Sequence, residues 1–461
     1  MTSLPAALQT ALRGRVVGPG APDYDQSRRV WNGAVDRRPA LIARCADTDD
    51  VLTCVRYARE HGLEIAVRSG GHSVAGQSVC DGGLVIDLAG LKGVAVRDGI
   101  ARAGAGLLNG EFDEATQAIG LATTAGIVSH TGLAGLALGG GIGWLMRAHA
   151  ATCDNVVGAK LVDATGGIIE VGQEHELMWA LRGAGANFGV VTRLDLRVHP
   201  VGPDVLAGVL VFPADRAIEV LPVYRDATEG APRELTTVVN LRHAPPLPWL
   251  PPELYGRPVV MIAVCWCGRF EAGERWLAGL RALRPVVDTV GARPYLQHQK
   301  LFDPAVPHGL QYYWRSDYVA ALDDAVIDAL LTHAWTMSSR RSYTIIFQLG
   351  GALAEVDPST AVFAGRTGLA VNVNGVWAER GAADEDRTWV RREWDAIHPS
   401  STGVYVNFLD DESPSRVAAA YGPAGARLAE LKRRYDPDNV FRHNHNILPA
   451  AARGPGGDDH A

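Results

Sequence analysis

Glycine-rich segments constrain this chain more than any other feature, because three of them occur between residues 68 and 192. The first is Arg68-Ser69-Gly70-Gly71-His72-Ser73-Val74-Ala75-Gly76. Small residues let the backbone approach a bound group closely, and adjacent N–H groups can face an anion. A histidine at the centre of such a loop can contact the bound group itself. His72 therefore marks a candidate binding site.

The second and third glycine clusters span residues 132–143 and 183–192. Neither has the Gly-x-Gly-x-x-Gly spacing of a dinucleotide fingerprint. Each cluster alone is typical of a tight turn with close packing. Together, the three clusters indicate a long, phosphate-containing ligand that lies against the backbone.

Length and composition limit the remaining possibilities. A chain of 461 residues with 47% hydrophobic residues predicts a globular protein of two domains. The net charge of −7 and the lack of a basic block disfavour nucleic-acid and membrane partners. We find no secretory signal and no apolar run long enough to span a membrane. Six scattered cysteines indicate buried, reduced thiols, no metal site and a cytoplasmic location.

Hydrophobic patterns predict alternating strands and helices. A first unit has strands at 40–43, 64–68 and 83–88, with a helix that begins at Thr48 or Asp49 as N-cap and ends near His61. A helix at 109–119 and strands at 159–163 and 168–171 follow. Further strands are predicted at 205–212, 236–241 and 259–267, and further helices at 271–283, 323–337, 384–397 and 414–436.

Further motifs follow the His72 loop in a fixed order. They are Gly139–Leu145, Asp154-Asn155, Trp179–Thr192, Tyr435–Phe441 and Asn444–Ile447. Over residues 25–449 the chain resembles the berberine bridge enzyme-like FAD-linked oxidases of the vanillyl-alcohol oxidase superfamily. This resemblance implies an α+β, two-domain FAD-binding fold with an antiparallel-sheet substrate domain covered by helices. The expected boundaries are 1–198 and 403–449 for the FAD-binding domain, 199–402 for the substrate-binding domain, and a disordered tail at 450–461.

The resemblance implies an FAD covalently attached to His72. Residues 68–73 and 126–143 would hold the pyrophosphate and the ring, Asn155 and 183–191 would flank the adenine half, and the C-terminal part would close over the ring. The residues assigned to the cofactor are Arg68, Ser69, Gly70, Gly71, His72, Ser73, Gly126, Val128, Ser129, Gly132, Gly135, Gly139, Gly141, Gly143, Asn155, Gly189, Val190, Val191, Asn407, Asn444 and Asn446.

Two positions depart from the family pattern. Val128 stands where many members carry a cysteine that forms a second bond to FAD, so a single covalent bond is predicted. Phe408 stands where many oxidases carry a tyrosine, a candidate base, and a phenyl ring cannot take a proton. One of Tyr343, Tyr312 and Tyr313 could replace that hydroxyl.

The segment 129–133, together with Leu136 and Trp31-Asn32-Gly33, resembles a singly linked bacterial branch of the family, the enterocin-pathway flavoprotein oxygenase. That branch is associated with a flavin N5-oxide. The resemblance implies that Thr131 and Leu136 shape an oxygen pocket and that Tyr405 takes part in catalysis. The alternative is that Thr131 caps a turn and Leu136 packs in the core.

Three functions follow from these observations. The first is an FAD-dependent enzyme of secondary metabolism, such as antibiotic biosynthesis, that oxidises or oxygenates a hydrophobic polyketide or aromatic substrate with molecular oxygen. The second is a simple oxidase of an amine, alcohol or sugar that releases hydrogen peroxide. The third is a non-redox binding module with a vestigial FAD site, which the intact His72 disfavours. A monomer or a homodimer is expected.

Overall fold

A small, mainly parallel sheet leads the chain into the first glycine-rich loop. The computed structural model describes residues 4–378, 383–410 and 413–451. Its first elements are α1 (Leu4–Ala11), β1 (Arg15–Val17), α2 (Tyr24–Ser27), β2 (Leu41–Arg44), α3 (Thr48–Glu60), β3 (Ile65–Arg68) and β4 (Leu84–Asp87). The strand order is β1-β2-β4-β3, in which β2, β4 and β3 are parallel. The loop with His72 begins where β3 ends.

A second, antiparallel sheet completes the N-terminal region. Its elements and their neighbours are β5 (Val94–Arg97), β6 (Ile100–Gly104), α4 (Asn109–Gln117), β7 (Leu121–Ala122), α5 (Leu133–Leu138), α6 (Met146–His149), β8 (Val156–Val162), β9 (Ile168–Val171), α7 (Glu176–Ala184) and β10 (Val190–Arg197). The strand order is β5-β6-β10-β8-β9. One hydrophobic core joins this sheet, α3 and the parallel sheet.

The middle of the chain forms a nine-stranded antiparallel sheet. The elements are β11 (His199–Pro200), β12 (Asp204–Pro213), α8 (Ala217–Thr228), β13 (Leu235–His243), β14 (Pro258–Trp266), α9 (Phe270–Ala282), β15 (Val287–Asp288), β16 (Gly291–Pro294), α10 (Tyr295–Gln299), β17 (Gln311–Val319), α11 (Asp324–His333), β18 (Tyr343–Gln348), α12 (Ala352–Glu355), β19 (Leu369–Trp377), α13 (Ala383–Ile397) and β20 (Ser401–Gly403). The strand order is β15-β12-β14-β13-β18-β19-β17-β20, and β16 also pairs with β12, whereas β11 pairs with β7 in a separate two-stranded sheet.

The two faces of this sheet have different neighbours. Along β13, Val239 and Leu241 pack against a core that includes α8, α9, α11 and α13. The alternate residue Val238 faces the opposite core, which includes Trp31 and Trp144 of the N-terminal region. Since successive side chains of a strand point to opposite faces, Asn240 and Arg242 share the face of Val238. Helices therefore cover one face, and the other face lies toward the N-terminal region, in the predicted α+β arrangement.

The C-terminal segment returns to the first core. It contains α14 (Pro414–Tyr421) and α15 (Gly425–Tyr435). Leu428, Leu431, Phe441 and Ile447 are buried in the same core as β2, β4 and β10. Lys432 is fully buried, and its ammonium group donates to the carbonyl oxygens of Asn187 and Phe441 and to the Asp436 carboxylate.

Two predicted helix boundaries were wrong. The N-cap of α3 is Asp47, whose carboxylate accepts a hydrogen bond from the backbone N–H of Asp50 at 3.0 Å. The helix predicted at 414–436 is broken at Gly422, which has φ +46° and precedes Pro423. A left-handed glycine and a proline both interrupt helical hydrogen bonding.

The cysteines are all free thiols, as predicted, and five of the six are buried. No helix among the described residues has the length and apolar character required to cross a membrane. Most of the tail predicted as disordered, residues 452–461, lies outside the described residues.

Candidate active site

A deep cavity separates the N-terminal region from the nine-stranded sheet, with about 2040 Å³ of empty space including the part that opens to solvent. Residues of all three glycine clusters line one side. Side chains of β13, β17, β18 and β19 line the other side, and the segments around Asn407 and Asn444 complete the wall. We call the first side the cofactor half and the second side the substrate half.

His72 lies in the cofactor half, and Trp31 stacks against its imidazole with 4.6 Å between ring centroids. The Nε2 atom of His72 is 2.6 Å from Nδ1 of His130, so one of the two nitrogens carries a hydrogen and donates a hydrogen bond to the other. No described residue forms a hydrogen bond with Nδ1 of His72. Burial, followed by the nearby His130 and His308, lowers the pKa of His72 well below its ordinary value. The ring is therefore neutral at pH 7.

Two histidines next to His72 had no assigned role in the sequence analysis. His130 and His308 each offer a nitrogen within 4.8 Å of the other two imidazoles, a spacing that could also hold a metal ion. His130 sits in the segment that replaces the cysteine-containing motif, but its distance in sequence from His72 hid the contact. His308 lies in a loop of the middle region with no recognisable motif. Both imidazoles have lowered pKa values because of burial.

Close backbone packing forms the floor of the cofactor half. A Cβ atom on Gly70 would lie 2.3 Å from the backbone nitrogen of Gly132, and a Cβ on Gly132 would lie 2.3 Å from that of Gly70. A Cβ on Gly139 would lie 2.0 Å from Oδ1 of Asn407. Gly70 and Gly132 require glycine because a Cβ there would collide with backbone, whereas a Cβ on Gly139 would require the Asn407 side chain to move. The backbones of the first two glycine clusters thus pack directly against each other. The same glycines line the cavity, so their backbone is accessible from it.

Most of the residues that the sequence assigned to the cofactor line this cavity. They are Ser69, Gly70, Gly71, His72, Ser73, Gly126, Val128, Gly132, Gly135, Gly139, Gly189, Val191, Asn407 and Asn444.

Arg68 and Asn155 have other partners and do not line the cavity. The Arg68 guanidinium donates to the Asp87 carboxylate at 2.6 Å and to the carbonyl oxygen of Ser27. Asn155 donates to two backbone carbonyl oxygens, and its Oδ1 is 2.8 Å from the ring of His199. The side chains of these two residues are thus occupied by neighbouring residues, and their expected cofactor role stays a prediction.

Five further assigned residues also lie behind the cavity wall. Gly141 donates its N–H to the Tyr405 hydroxyl, and Gly143 packs against the carbonyl of Ala125. The backbone N–H and the hydroxyl of Ser129 both donate to the carboxylate of Asp303, which lies far away in the sequence. Val190 is a core residue at the start of β10. The side-chain oxygen of Asn446 is buried, does not line the cavity and has no hydrogen-bond partner among the described residues. These residues shape the wall without facing the cavity.

Thr131, Leu136 and Tyr405, the predicted catalytic residues, all line the cavity. The Tyr405 hydroxyl accepts hydrogen bonds from the N–H of Gly141 at 2.7 Å and from Nδ2 of Asn407 at 2.8 Å. Burial raises its pKa above the ordinary range. The two hydrogen bonds fix the position of the hydroxyl oxygen at the cavity wall.

The three tyrosines considered as substitutes for the missing hydroxyl at Phe408 have different positions. Tyr343 lines the cavity, and burial raises its pKa to about 12. The Tyr312 hydroxyl donates to the carbonyl oxygen of Pro307. Tyr313 faces the helix-covered side of the sheet and accepts a hydrogen bond from Arg315. Tyr343 alone of these three reaches the cavity.

The substrate half contains polar side chains that the sequence analysis missed. Arg242, Asn240, Asn372 and Asn374 are buried on β13 and β19 and line the cavity. They share no motif, because they lie as two pairs at alternate positions of two strands that are far apart in the sequence. Only strand alternation and register could have grouped them.

Two family models match the parts of the chain that surround the cofactor half. The model described as "FAD binding domain" matches residues 39–172, and the model described as "Berberine and berberine like" matches residues 404–448. The matched segments contain the first two glycine clusters and the C-terminal wall.

Relatives match nearly the whole chain. An FAD-linked oxidoreductase of Dictyostelium discoideum is 33% identical over 95% of both chains. The (R)-6-hydroxynicotine oxidase of Paenarthrobacter nicotinovorans is 31% identical over 96% of this chain and 98% of its own.

Solved structures share the fold. The crystal structure of 6-hydroxy-D-nicotine oxidase from Arthrobacter nicotinovorans superposes with a TM-score of 0.86 at 30% identity, covering 95% of this chain and 98% of the other. The Physcomitrella patens protein BBE-like 1 gives 0.87 at 24% identity, covering 98% and 100%. A glycine-lined cavity around His72, family models on both sides of it and near full-length relatives lead to one conclusion: the chain belongs to the berberine bridge enzyme-like FAD-linked oxidoreductases of the vanillyl-alcohol oxidase superfamily.

Proposed function

We propose that this enzyme carries FAD attached by a single covalent bond to His72 and uses molecular oxygen to oxidise or oxygenate a hydrophobic polyketide or aromatic metabolite. The observation that carries the proposal is the position of His72 at the wall of the cavity, stacked on Trp31. Its imidazole is neutral, lines the cavity and has Nδ1 free of hydrogen bonds to the described residues. A neutral imidazole nitrogen has a lone pair for a bond to the ring methyl carbon. That bond would replace one methyl C–H bond, and the two electrons and two protons released from the methyl group and the imidazole would pass through the flavin to molecular oxygen, giving hydrogen peroxide. Nδ1 is therefore the proposed attachment atom.

The residues of the cofactor half fit such a group. Ser69, Gly70 and Gly132 present small side chains and backbone to the cavity, as a bound pyrophosphate requires. Ser78 lines the same cavity, and its hydroxyl is buried without a partner, as is the side-chain oxygen of Asn444. Buried polar atoms without partners point to a polar ligand. When bound, FAD supplies the redox chemistry by accepting a hydride and passing electrons to oxygen.

A single attachment is supported by the residue at position 128. Val128 lines the cavity, and no cysteine among the described residues does so. Cys153, the nearest cysteine in sequence, is buried with its thiol beside Asp154. No described cysteine is therefore placed to form a thioether bond to the cofactor.

Other residues that line the cavity are proposed to bind oxygen, contact the substrate and hold its proton. Thr131 and Leu136 are proposed to shape an oxygen pocket beside the ring. Trp314, Phe347 and Phe408 offer an apolar surface to the substrate. Tyr343 carries the hydroxyl best placed to hold a proton of the substrate, since the Tyr405 hydroxyl already accepts two hydrogen bonds.

A simple oxidase that releases hydrogen peroxide is the second candidate. It is favoured by the relative named (R)-6-hydroxynicotine oxidase, which matches 96% of this chain. Oxidation of a neutral amine requires no strong base, which is compatible with Phe408. The two candidates differ in the fate of the oxygen atoms.

Three measurements test the proposal. Acid denaturation of the purified protein should leave the yellow colour with the protein, and colour that washes away contradicts covalent attachment. Turnover under ¹⁸O₂ with polyketide, aromatic, amine and sugar panels should place label in the product of an oxygenase, whereas unlabelled product with stoichiometric peroxide supports the simple oxidase. A resting absorption spectrum identical to that of ordinary oxidised flavin contradicts the N5-oxide expected from the enterocin-pathway resemblance.

A further inference from the structure

Two rows of side chains cross the substrate half from strand to strand. The register of β13, β18 and β19 aligns Arg242 with Tyr343 and Asn374 in one row, and Asn240 with Ile345 and Asn372 in the next. The rows are two residues apart along each strand, so all six side chains point to the same face. We call Arg242, Asn240, Asn372 and Asn374 the polar band.

Arg242 is a buried cation without a carboxylate partner. The residue is 5% exposed, and its Nε donates to the carbonyl oxygen of His243 at 3.3 Å. No described carboxylate forms an ion pair with it, and the ring of Tyr343, 5.1 Å from the guanidinium carbon, gives the charge its main nearby contact. Burial lowers its pKa, but a guanidinium remains charged at pH 7. A charge in this position is normally paired.

The amides of the polar band leave hydrogen-bonding atoms unused. Both side-chain atoms of Asn240 and Oδ1 of Asn372 are buried without partners. Nδ2 of Asn372 donates to Oδ1 of Asn374, and Nδ2 of Asn374 donates to the carbonyl oxygen of Asn372. Most buried polar atoms in proteins have partners. Unused atoms beside an unpaired guanidinium indicate that the missing partner is a ligand.

The wall around the polar band is apolar and aromatic. Trp314, Ile345, Phe347 and Phe408 line the same cavity, and the Trp314 and Phe408 rings meet edge to face with centroids 5.6 Å apart. A ligand that reaches Arg242 therefore lies with its body against apolar surfaces.

We propose that Arg242 binds a carboxylate of the substrate, which is an aromatic or otherwise apolar molecule with one acidic group, and that the amides of the polar band complete the contact. The inference rests on the proposed function, because it names the substrate class of that same site. A guanidinium has five donors and no acceptor, in a planar arrangement that matches a carboxylate. A neutral sugar would leave the charge unpaired, and a cationic amine without an acidic group would be repelled.

Calorimetric titration of the holoenzyme with 2-naphthoate and 2-naphthamide tests the inference, since the two probes differ mainly in charge. The wild-type protein is expected to bind 2-naphthoate at least about tenfold more tightly. Arg242→Gln should remove that difference by weakening only the carboxylate. Arg97→Gln, which removes an exposed charge on β5, should retain the wild-type preference.

Equal binding of the two probes to the wild-type protein, or binding of neither, overturns the inference. A preference that survives in Arg242→Gln overturns the role of that residue. The wild-type comparison decides even if Arg242→Gln does not fold, which its melting temperature will reveal. Protein that lacks covalent flavin but still prefers 2-naphthoate through Arg242 contradicts the proposed covalent cofactor alone, whereas flavin-loaded protein that binds both probes equally contradicts only this inference.

Discussion

The two halves of the cavity are built in opposite ways. The cofactor half consists mostly of backbone and small side chains that come from three contiguous glycine clusters. The substrate half consists of isolated side chains on β13, β17, β18 and β19, which strand register brings together. Both halves contain buried polar atoms without partners among the described residues, but the floor of the cofactor half is closely packed backbone, whereas strand side chains form the substrate half. The comparison indicates that cofactor binding is encoded locally and substrate choice is encoded by long-range pairing.

The largest expected effect concerns the covalent bond. His72→Ala should lose all covalent flavin, because no other described residue offers a neutral nucleophilic nitrogen stacked on Trp31 at this point of the cavity. Flavin fluorescence in a denaturing gel measures the loss. His308→Ala is the matched control, since it removes an exposed imidazole of the same cluster and should keep the bond. Flavin fluorescence that stays with denatured His72→Ala protein would contradict the assignment of His72 as the attachment residue.

The next effect tests whether the C-terminal segment supports the cofactor half. Lys432→Met should lower the free energy of unfolding by about 3–5 kcal/mol, because it leaves the buried Asp436 carboxylate without its cation. Urea denaturation measures the change. Arg433→Met alters a half-exposed cation on the same helix and should have little effect. Equal losses in the two variants would contradict the dependence on Lys432.

A third prediction probes the packed floor of the cofactor half. Gly132→Ala should cost about 1–3 kcal/mol of stability and reduce flavin content, because its Cβ would meet the backbone of Gly70. The control is Gly135→Ala, which also adds a methyl group to the cavity wall but meets no heavy atom within 4 Å. Indistinguishable melting curves for the two variants would show that the backbone around Gly70 and Gly132 can shift to accept a Cβ atom.

The smallest expected effect is a change in the free energy of unfolding, which has opposite signs for substitutions in the two halves. Asn240→Leu should stabilise the protein by about 1 kcal/mol, because it removes two buried polar atoms without partners. Asn187→Leu, in the cofactor half, should destabilise it, since that amide donates to Tyr421 and His445 and accepts from Ile447. Chemical denaturation of both variants gives the two signs. Destabilisation by Asn240→Leu would mean that its amide has partners in the free enzyme.

The same contrast explains how much could be predicted from the sequence. The His72 loop and the strands and helix before it were readable because the signals lie within a few residues of one another. Arg68 belongs to that motif, but the parallel register places it opposite Asp87, so an ion pair takes its side chain away from the cavity. Arg242 gave no local signal, since its neighbour Tyr343 lies on another strand, β18, about 100 residues away in the sequence. Long-range register is the information that a single sequence conceals.

The return of the C-terminal segment to the first core has a consequence for biosynthesis. Asn407 and Asn444 complete the cavity wall, and they are translated after the entire nine-stranded sheet. During synthesis, the His72 loop therefore leaves the ribosome long before the wall that encloses it exists. The cavity can therefore be enclosed only after Asn444 has been synthesised, so the complete FAD site forms late in the synthesis of the described residues.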